Sequence, residues 1–194
     1  LSIADLVKNR VCAQTAKQNK PVEDSALAID RISDGIGRGK FQPFLLHYCW
    51  ANSEENVPTP RKKLMDWYGK RISQASDIKI FLDHLEKQAL QYYVNFVDPS
   101  RCIDPRKKIM FTYLDALGAT RCYPLLLAGE EHLSKKDFLV LCGILEILTF
   151  RHSTILQKDA KSLEGVFYDL IRDIKQKNPI EDIIKILKKQ DTMK

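Results

Sequence analysis

Ser76-Asp77-Ile78-Lys79-Ile80-Phe81-Leu82-Asp83-His84-Leu85-Glu86-Lys87-Gln88-Ala89-Leu90-Gln91-Tyr92-Tyr93-Val94-Asn95-Phe96 decides the fold. Ser76-Asp77 offers side-chain oxygens to the open NH groups of a helix start. Ile78, Phe81, Leu82, Leu85, Ala89, Tyr92, Tyr93 and Phe96 then recur at the i, i+3, i+4, i+7 spacing that gathers them on one helical face. A strand would need apolar and polar residues to alternate, and here they do not. The helix is predicted to stop at Asp98-Pro99, because the residue before proline is pushed out of the α region. An apolar stripe of about five turns must be covered by other helices.

The same signs recur on both sides. Towards the N-terminus, Ser2-Ile3-Ala4-Asp5 has the form of a capping box, and Ile3, Leu6, Val7 and Val11 predict a first helix to about Gln18. Pro21 punctuates. Val22, Ala26, Ile29 and Ile32 mark a second helix that is expected to dissolve in a flexible turn at Gly35-Ile36-Gly37-Arg38-Gly39. A third, apolar helix follows in Phe44 to Trp50, and Thr59-Pro60 predicts the start of a fourth with Leu64, Trp67 and Tyr68. Beyond the central stretch, Asp104-Pro105 opens a helix expected to turn Ile109, Met110, Tyr113, Leu114 and Leu117 inward, ending near Gly118. Tyr123 to Leu133 reads as a buried helix, and Ser134-Lys135-Lys136-Asp137 as a second capping box before Phe138, Leu141, Ile144, Leu145 and Leu148. Leu163 to Ile174 and a segment beginning at Asn178-Pro179, through Ile184 and Leu187, complete the series. The expected fold is all-α, an irregular bundle of about eight to ten helices in a single domain over residues 1–194, without a significant sheet.

Composition agrees. The 194 residues include 44% apolar side chains, enough for one compact core and at most two small ones, while eight Gly and eight Pro are few for a many-stranded sandwich or barrel. No apolar run in the sequence approaches the ~20 residues of a bilayer span, so no membrane association is expected. Five cysteines, Cys12, Cys49, Cys102, Cys122 and Cys142, form no Cys-x-x-Cys pair and read as reduced thiols in a cytoplasmic protein. Leu1 is not a methionine and no signal-peptide pattern comes after it, which suggests a chain that begins partway through a longer protein.

Signs of catalytic chemistry are few. His47, His84, His132 and His152 are far apart and lack metal-ligand spacing, so no metal and no cofactor are expected. His47 and Cys49 would suit a nucleophile and its base, but residues two apart on a helix do not face each other. Gly35 to Gly39 lacks the Lys-Ser/Thr of a phosphate loop, and no Gly-x-Ser-x-Gly occurs. Glu130-Glu131 and Glu181-Asp182 are neighbours at helix ends, where a dipole-complementing or solvated role accounts for them.

The basic residues stand out. There are 31 Lys plus Arg against 25 Asp plus Glu, a formal charge of +6. Arg61-Lys62-Lys63 with Lys70-Arg71, and Arg106-Lys107-Lys108 after Arg101, set cations at helix starts, where the macrodipole disfavours them. Phosphate contacts are one use for such clusters, and a solvated basic face is the other.

Leu1-Ser2-Ile3-Ala4-Asp5-Leu6-Val7-Lys8-Asn9-Arg10 resembles the start of the helical region in the GmrSD-type restriction proteins, where a Leu-Ser/Thr-x-x-Asp-Leu-Ile-Lys-Asn signature comes after a ParB-like domain. Phe44 to Trp50 is similar to that family's Phe-Leu-x-His-Tyr-Trp element, with Cys49 inserted. Leu64 to Lys70, Tyr123 to Ala128 and Phe150-Arg151-His152 resemble its later elements in the same order, from Leu1 to about Lys175. The resemblance implies a part in bacterial defence, in proteins that recognise foreign or modified DNA and cleave it. Their Asp-Gly-Gln-Gln-Arg motif and His-Asn-His-type nuclease motif stand nowhere in this sequence, so no catalytic residue carries over.

The expectation from residues and resemblance together is a non-catalytic helical domain that holds DNA or couples the ParB-like and nuclease domains of a nucleotide-dependent endonuclease. Arg61, Lys62, Lys63, Lys70, Arg71, Arg106, Lys107 and Lys108 are the DNA-facing candidates. Asp5, Lys8 and Asn9 are the candidates for packing against a preceding domain. The rival is a protein-interaction or oligomerisation scaffold, a homo-oligomer built on Trp50, Trp67, Tyr92, Tyr93 and the amphipathic C-terminal helix, with the basic charge serving solubility.

Overall fold

The computed structural model describes residues 2–53, 61–157 and 160–192. Among them the fold is all-α, with ten α-helices and no strand. The chain divides into two compact units, residues 1–93 and 94–194.

The first unit holds α1 (Ile3–Lys17), α2 (Val22–Ile36), α3 (Arg38–Asn52), α4 (Arg61–Ser73) and α5 (Ile78–Tyr92). Ser2 and Asp5 close the expected capping box on α1, and Val7 and Val11 are fully buried below it. Helix α1 packs on α2 and α4, and α2 on α5 and α3. The core is aromatic: Tyr48 lies near Tyr68, Trp67, Phe81 and His84, with ring centroids 5.6–6.4 Å apart. The buried Tyr68 hydroxyl donates to the Leu45 carbonyl at 2.7 Å.

The join between α2 and α3 differs from expectation. In place of a five-residue turn, Gly37 alone leaves the helical path, at φ +86°, and α3 begins at Arg38. Only glycine adopts that backbone without strain. The Arg38 guanidinium donates to Asp34 across the break at 2.8 Å. Pro43 therefore lies inside α3. An interior proline costs a helix about 3 kcal/mol, which burial of Phe41, Phe44, Leu45 and Tyr48 offsets. The Thr59-Pro60 start expected for α4 falls outside the described residues.

A π turn (Tyr93–Val97) continues α5, and the second unit contains α6 (Pro105–Ala116), α7 (Tyr123–His132), α8 (Lys135–Thr149), a second π turn (Phe150–Ile155), α9 (Glu164–Lys175) and α10 (Ile180–Thr192). Asp104 caps α6 with Pro105 in its first turn, and Ser134 caps α8 by accepting from the Asp137 NH. Helix α7 packs on α9 and α8, α8 on α10 and α6, and every residue from Tyr123 to Gly129 is buried. A Cβ at Gly129 would stand 2.9 Å from Leu141 Cδ2, so the glycine sets how closely α7 and α8 approach.

Helix α6 is rotated from its expected phase. Phe111 and Leu114 are buried, whereas Ile109 and Tyr113 are more than half exposed. Phe111 packs edge-on to Phe96, whose ring stacks on Tyr123 at 4.1 Å. The continuous helical run Lys135–Ile155 has the length of a membrane span and contains an 18-residue stretch of mean hydropathy 1.5, which the sequence pattern alone did not single out. Its Phe138, Leu141, Cys142, Leu145 and Leu148 are buried in this fold.

Candidate functional site

The eight cations singled out in the sequence fall in different units. Arg61 and Lys62 stand in the first turn of α4, and Lys63 is exposed one residue later. Lys70 lies two turns further along, so it shares a face with Lys63. Lys70 and Arg71 occupy the last turn, not a helix start, and there the macrodipole favours cations. Lys63, Lys70 and Arg71 have no carboxylate partner among the described residues. The Arg10 guanidinium of α1 covers Gly69 on the same helix, 2.7 Å from where a Cβ would stand.

The cations of α6 are spent differently. Lys107 is turned inward: its ammonium lies 2.5 Å from Glu130 Oε1 and 4.7 Å from the centre of the Phe138 ring. The other Glu130 oxygen accepts from the amide of Asn95, which is 3% exposed. Lys107 is therefore a structural cation, and Glu130 is a half-buried acceptor, in place of the solvated or dipole-complementing residue expected. The Lys108 ammonium donates to the Ser100 carbonyl at 3.1 Å, and Arg106 is exposed, with Asp104 3.9 Å away.

Of the residues matched to the family signature, Asp5 closes the α1 cap and Lys8 pairs with Asp30 of α2 at 2.6 Å, while Asn9 is exposed. Bonds from Ser2 hold the Asp5 carboxyl below its usual pKa. Among the aromatic residues named for self-association, Trp50 and Tyr92 are core residues, and Trp67 and Tyr93 are half-buried. Cys49 is wholly buried, which pushes its thiol pKa up and makes it a poor nucleophile, while His47 bonds the Tyr92 hydroxyl at 3.1 Å. The described residues contain no group of three or more His, Cys, Asp or Glu placed to hold a metal.

One recess in the first unit adjoins the α4 cations. A cleft of about 250 Å³ is lined by Tyr48, Arg71, the turn Gln74 to Asp77, Ile80, Phe81 and His84. Tyr48 and Phe81 are buried rings, and the Tyr48 hydroxyl meets His84 Nδ1 at 2.8 Å. The turn that forms one wall is fastened to the end of α1. Gln18 Nε2 donates to the Ala75 carbonyl, Gln18 Oε1 accepts from the Ile78 NH, both at 3.0 Å, and Lys20 pairs with Asp77 at 2.6 Å. The Lys20 ammonium and the Lys79 NH hold the Asp77 carboxyl below its usual pKa, so this acid stays ionised and neutralised. Arg71, Gln74 and Ser76 have no side-chain partner among the described residues.

Sequence reasoning named Arg71 but missed the cleft, because Tyr48, Arg71 and His84 come from three helices. Only the capping signal of Ser76-Asp77 pointed to the turn. The arrangement offers an unpaired guanidinium, an amide and a hydroxyl around an aromatic recess, which suits binding of an anionic, partly flat molecule. No protein-family model, curated protein or solved structure matches the chain.

Proposed function

We propose that this chain is a helical module that holds DNA by its phosphates, with Lys63, Lys70 and Arg71 of α4 as the phosphate-facing cations, joined by Arg61 and Lys62 at the helix start. The observation that carries this reading is the contrast in partners. Lys63, Lys70 and Arg71 have no carboxylate partner among the described residues, while Lys107 is held by Glu130. Unpaired cations on one helix can each neutralise a phosphate and release counterions. The resemblance to the helical region of GmrSD-type restriction proteins supports the same role. In that setting the module couples DNA holding to ParB-like and nuclease domains in a bacterial cytoplasm, and itself needs no cofactor.

The test is fluorescence anisotropy of labelled duplex DNA at ~50 and ~200 mM salt. The expected result is binding that weakens steeply with salt, with Lys63→Glu and Lys70→Glu each lowering the salt slope by about one. Absence of binding at the lower salt overturns the reading.

A second reading, self-association, has its own support in the second unit. Ile109 and Tyr113, one turn apart on α6, and Ile147 and Phe150, one turn apart at the end of α8, are 45–58% exposed, and adjoining exposed apolar residues can form the patches that serve contacts between proteins. Light scattering across a concentration series, with Ile147→Lys as the variant, distinguishes a monomer from a dimer.

A further inference from the structure

The cleft beside α4 is too small for an extended ligand, and of the residues that line it only Arg71 belongs to the phosphate-holding set. Its volume of about 250 Å³ lies below the ~300–1,000 Å³ of pockets that enclose drug-sized molecules. One flat ring system fits, with the exposed Ile80 side chain and the accessible edge of Phe81 as its apolar wall. At the rim, Arg71, Gln74 and Ser76 present two donors and an amide that both donates and accepts, none engaged by another described residue. A glutamine amide in this position matches the donor and acceptor pairs on the edges of nucleobases. Asp77 would repel an anion, but Lys20 lies 2.6 Å from it and cancels its charge.

We propose that this cleft receives the base of an unpaired nucleotide in a DNA strand, with Arg71 on that nucleotide's phosphate and Gln74 on the base edge. This rests on the DNA-holding reading and adds to it a preference for strands whose bases are exposed. In a duplex the bases are stacked and paired, so only an unpaired base can enter such a recess. Cations tracking a backbone beside an aromatic recess are the usual means of holding single strands.

The experiment compares the whole chain's affinity for three labelled probes of equal length: a single strand, an abasic strand with the same phosphates, and a duplex. The single strand is expected to bind at least about ten-fold tighter than the abasic strand. Ser76→Trp, which fills the mouth of the cleft from an exposed position, is expected to remove that preference while leaving duplex affinity within about two-fold. Gln74→Ala, at an exposed helix end, is expected to reduce the preference without altering thermal melting. Equal binding of the base-containing and abasic strands, or a preference that survives Ser76→Trp, overturns the cleft assignment. If duplex binding then remains strongly salt-dependent, phosphate holding stands and only the cleft assignment falls. If none of the three probes binds at ~50 mM salt, both fall. Saturable binding of dAMP, dCMP, dGMP or TMP that Ser76→Trp abolishes, without binding of any strand, overturns a DNA strand as the source of the nucleotide.

Discussion

The Lys107 ammonium sits between two partners, 2.5 Å from the Glu130 carboxylate and 4.7 Å from the centre of the Phe138 ring, so a residue that reads as part of a basic surface run holds α6 against α7 and α8. Both side chains of the pair are more than four-fifths covered, and removal of one charge leaves the other mostly covered and without a counter-charge.

Lys107→Met is therefore expected to destabilise the second unit by about 1–3 kcal/mol. Glu130→Gln in that background recovers part of the loss, because the amide oxygen still accepts from Asn95. Urea unfolding of the single and double variants checks this. DNA affinity measured alongside should not change with Lys107→Met, and a large loss there would return Lys107 to the phosphate-facing set.

Two glycines should respond oppositely to alanine. At Gly129 the new methyl meets Leu141 at 2.9 Å and Phe138 at 3.3 Å inside a packed interface, so Gly129→Ala costs about 1–3 kcal/mol by overpacking. At Gly69 it meets the mobile end of Arg10, which can swing into solvent. Gly69→Ala should be neutral or stabilising by up to ~1 kcal/mol through helix propensity. Thermal melts of the two variants decide it.

Acid should weaken the fold through its helix caps. Lys20 and the Lys79 NH hold the Asp77 carboxyl below the ordinary aspartate range, and Lys135 with the NH groups of Arg106 and Lys107 does the same for Asp104. A carboxyl with a lowered folded-state pKa contributes its stability fully above the unfolded value, and that contribution is lost as pH falls through the folded one. The fall in melting temperature is thus expected below about pH 4, and Asp77→Asn with Asp104→Asn should flatten it. An unchanged acid slope in the double variant would remove these caps as the cause.

Thiol reactivity should separate the five cysteines. Cys49, Cys122 and Cys142 are buried, and burial pushes their pKa values up, that of Cys122 to about 12. Cys12 and Cys102 are partly exposed. An aromatic disulfide reagent should label Cys12 and Cys102 in the native chain and the other three only after denaturation, because thiolate and access together set the rate. Rapid labelling of Cys49 would contradict its place in the core.

The amino-acid sequence by itself determined where the side-chain-capped helices start and what class of fold they build. Ser2 with Asp5, Asp77, Asp104-Pro105 and Ser134 with Asp137 are caps whose hydrogen bonds span two or three residues, so the information lies in one short window. The stripe from Ile78 to Phe96 likewise identified α5, with only its change to a π turn at Tyr93 unannounced. Tertiary structure decided phase, breaks and partners. On α6, apolar residues occur on more than one face, so periodicity set the spacing but not which side turns inward, and contact with Phe96 and Phe138 selected Phe111. Burial of the α3 aromatics overrode Pro43 and carried that helix back to Arg38. The inward turn of Lys107, and the cleft that brings Tyr48, Arg71 and His84 together, depend on residues more than ten positions apart. Local pattern cannot encode such meetings, because they form only when whole helices pack.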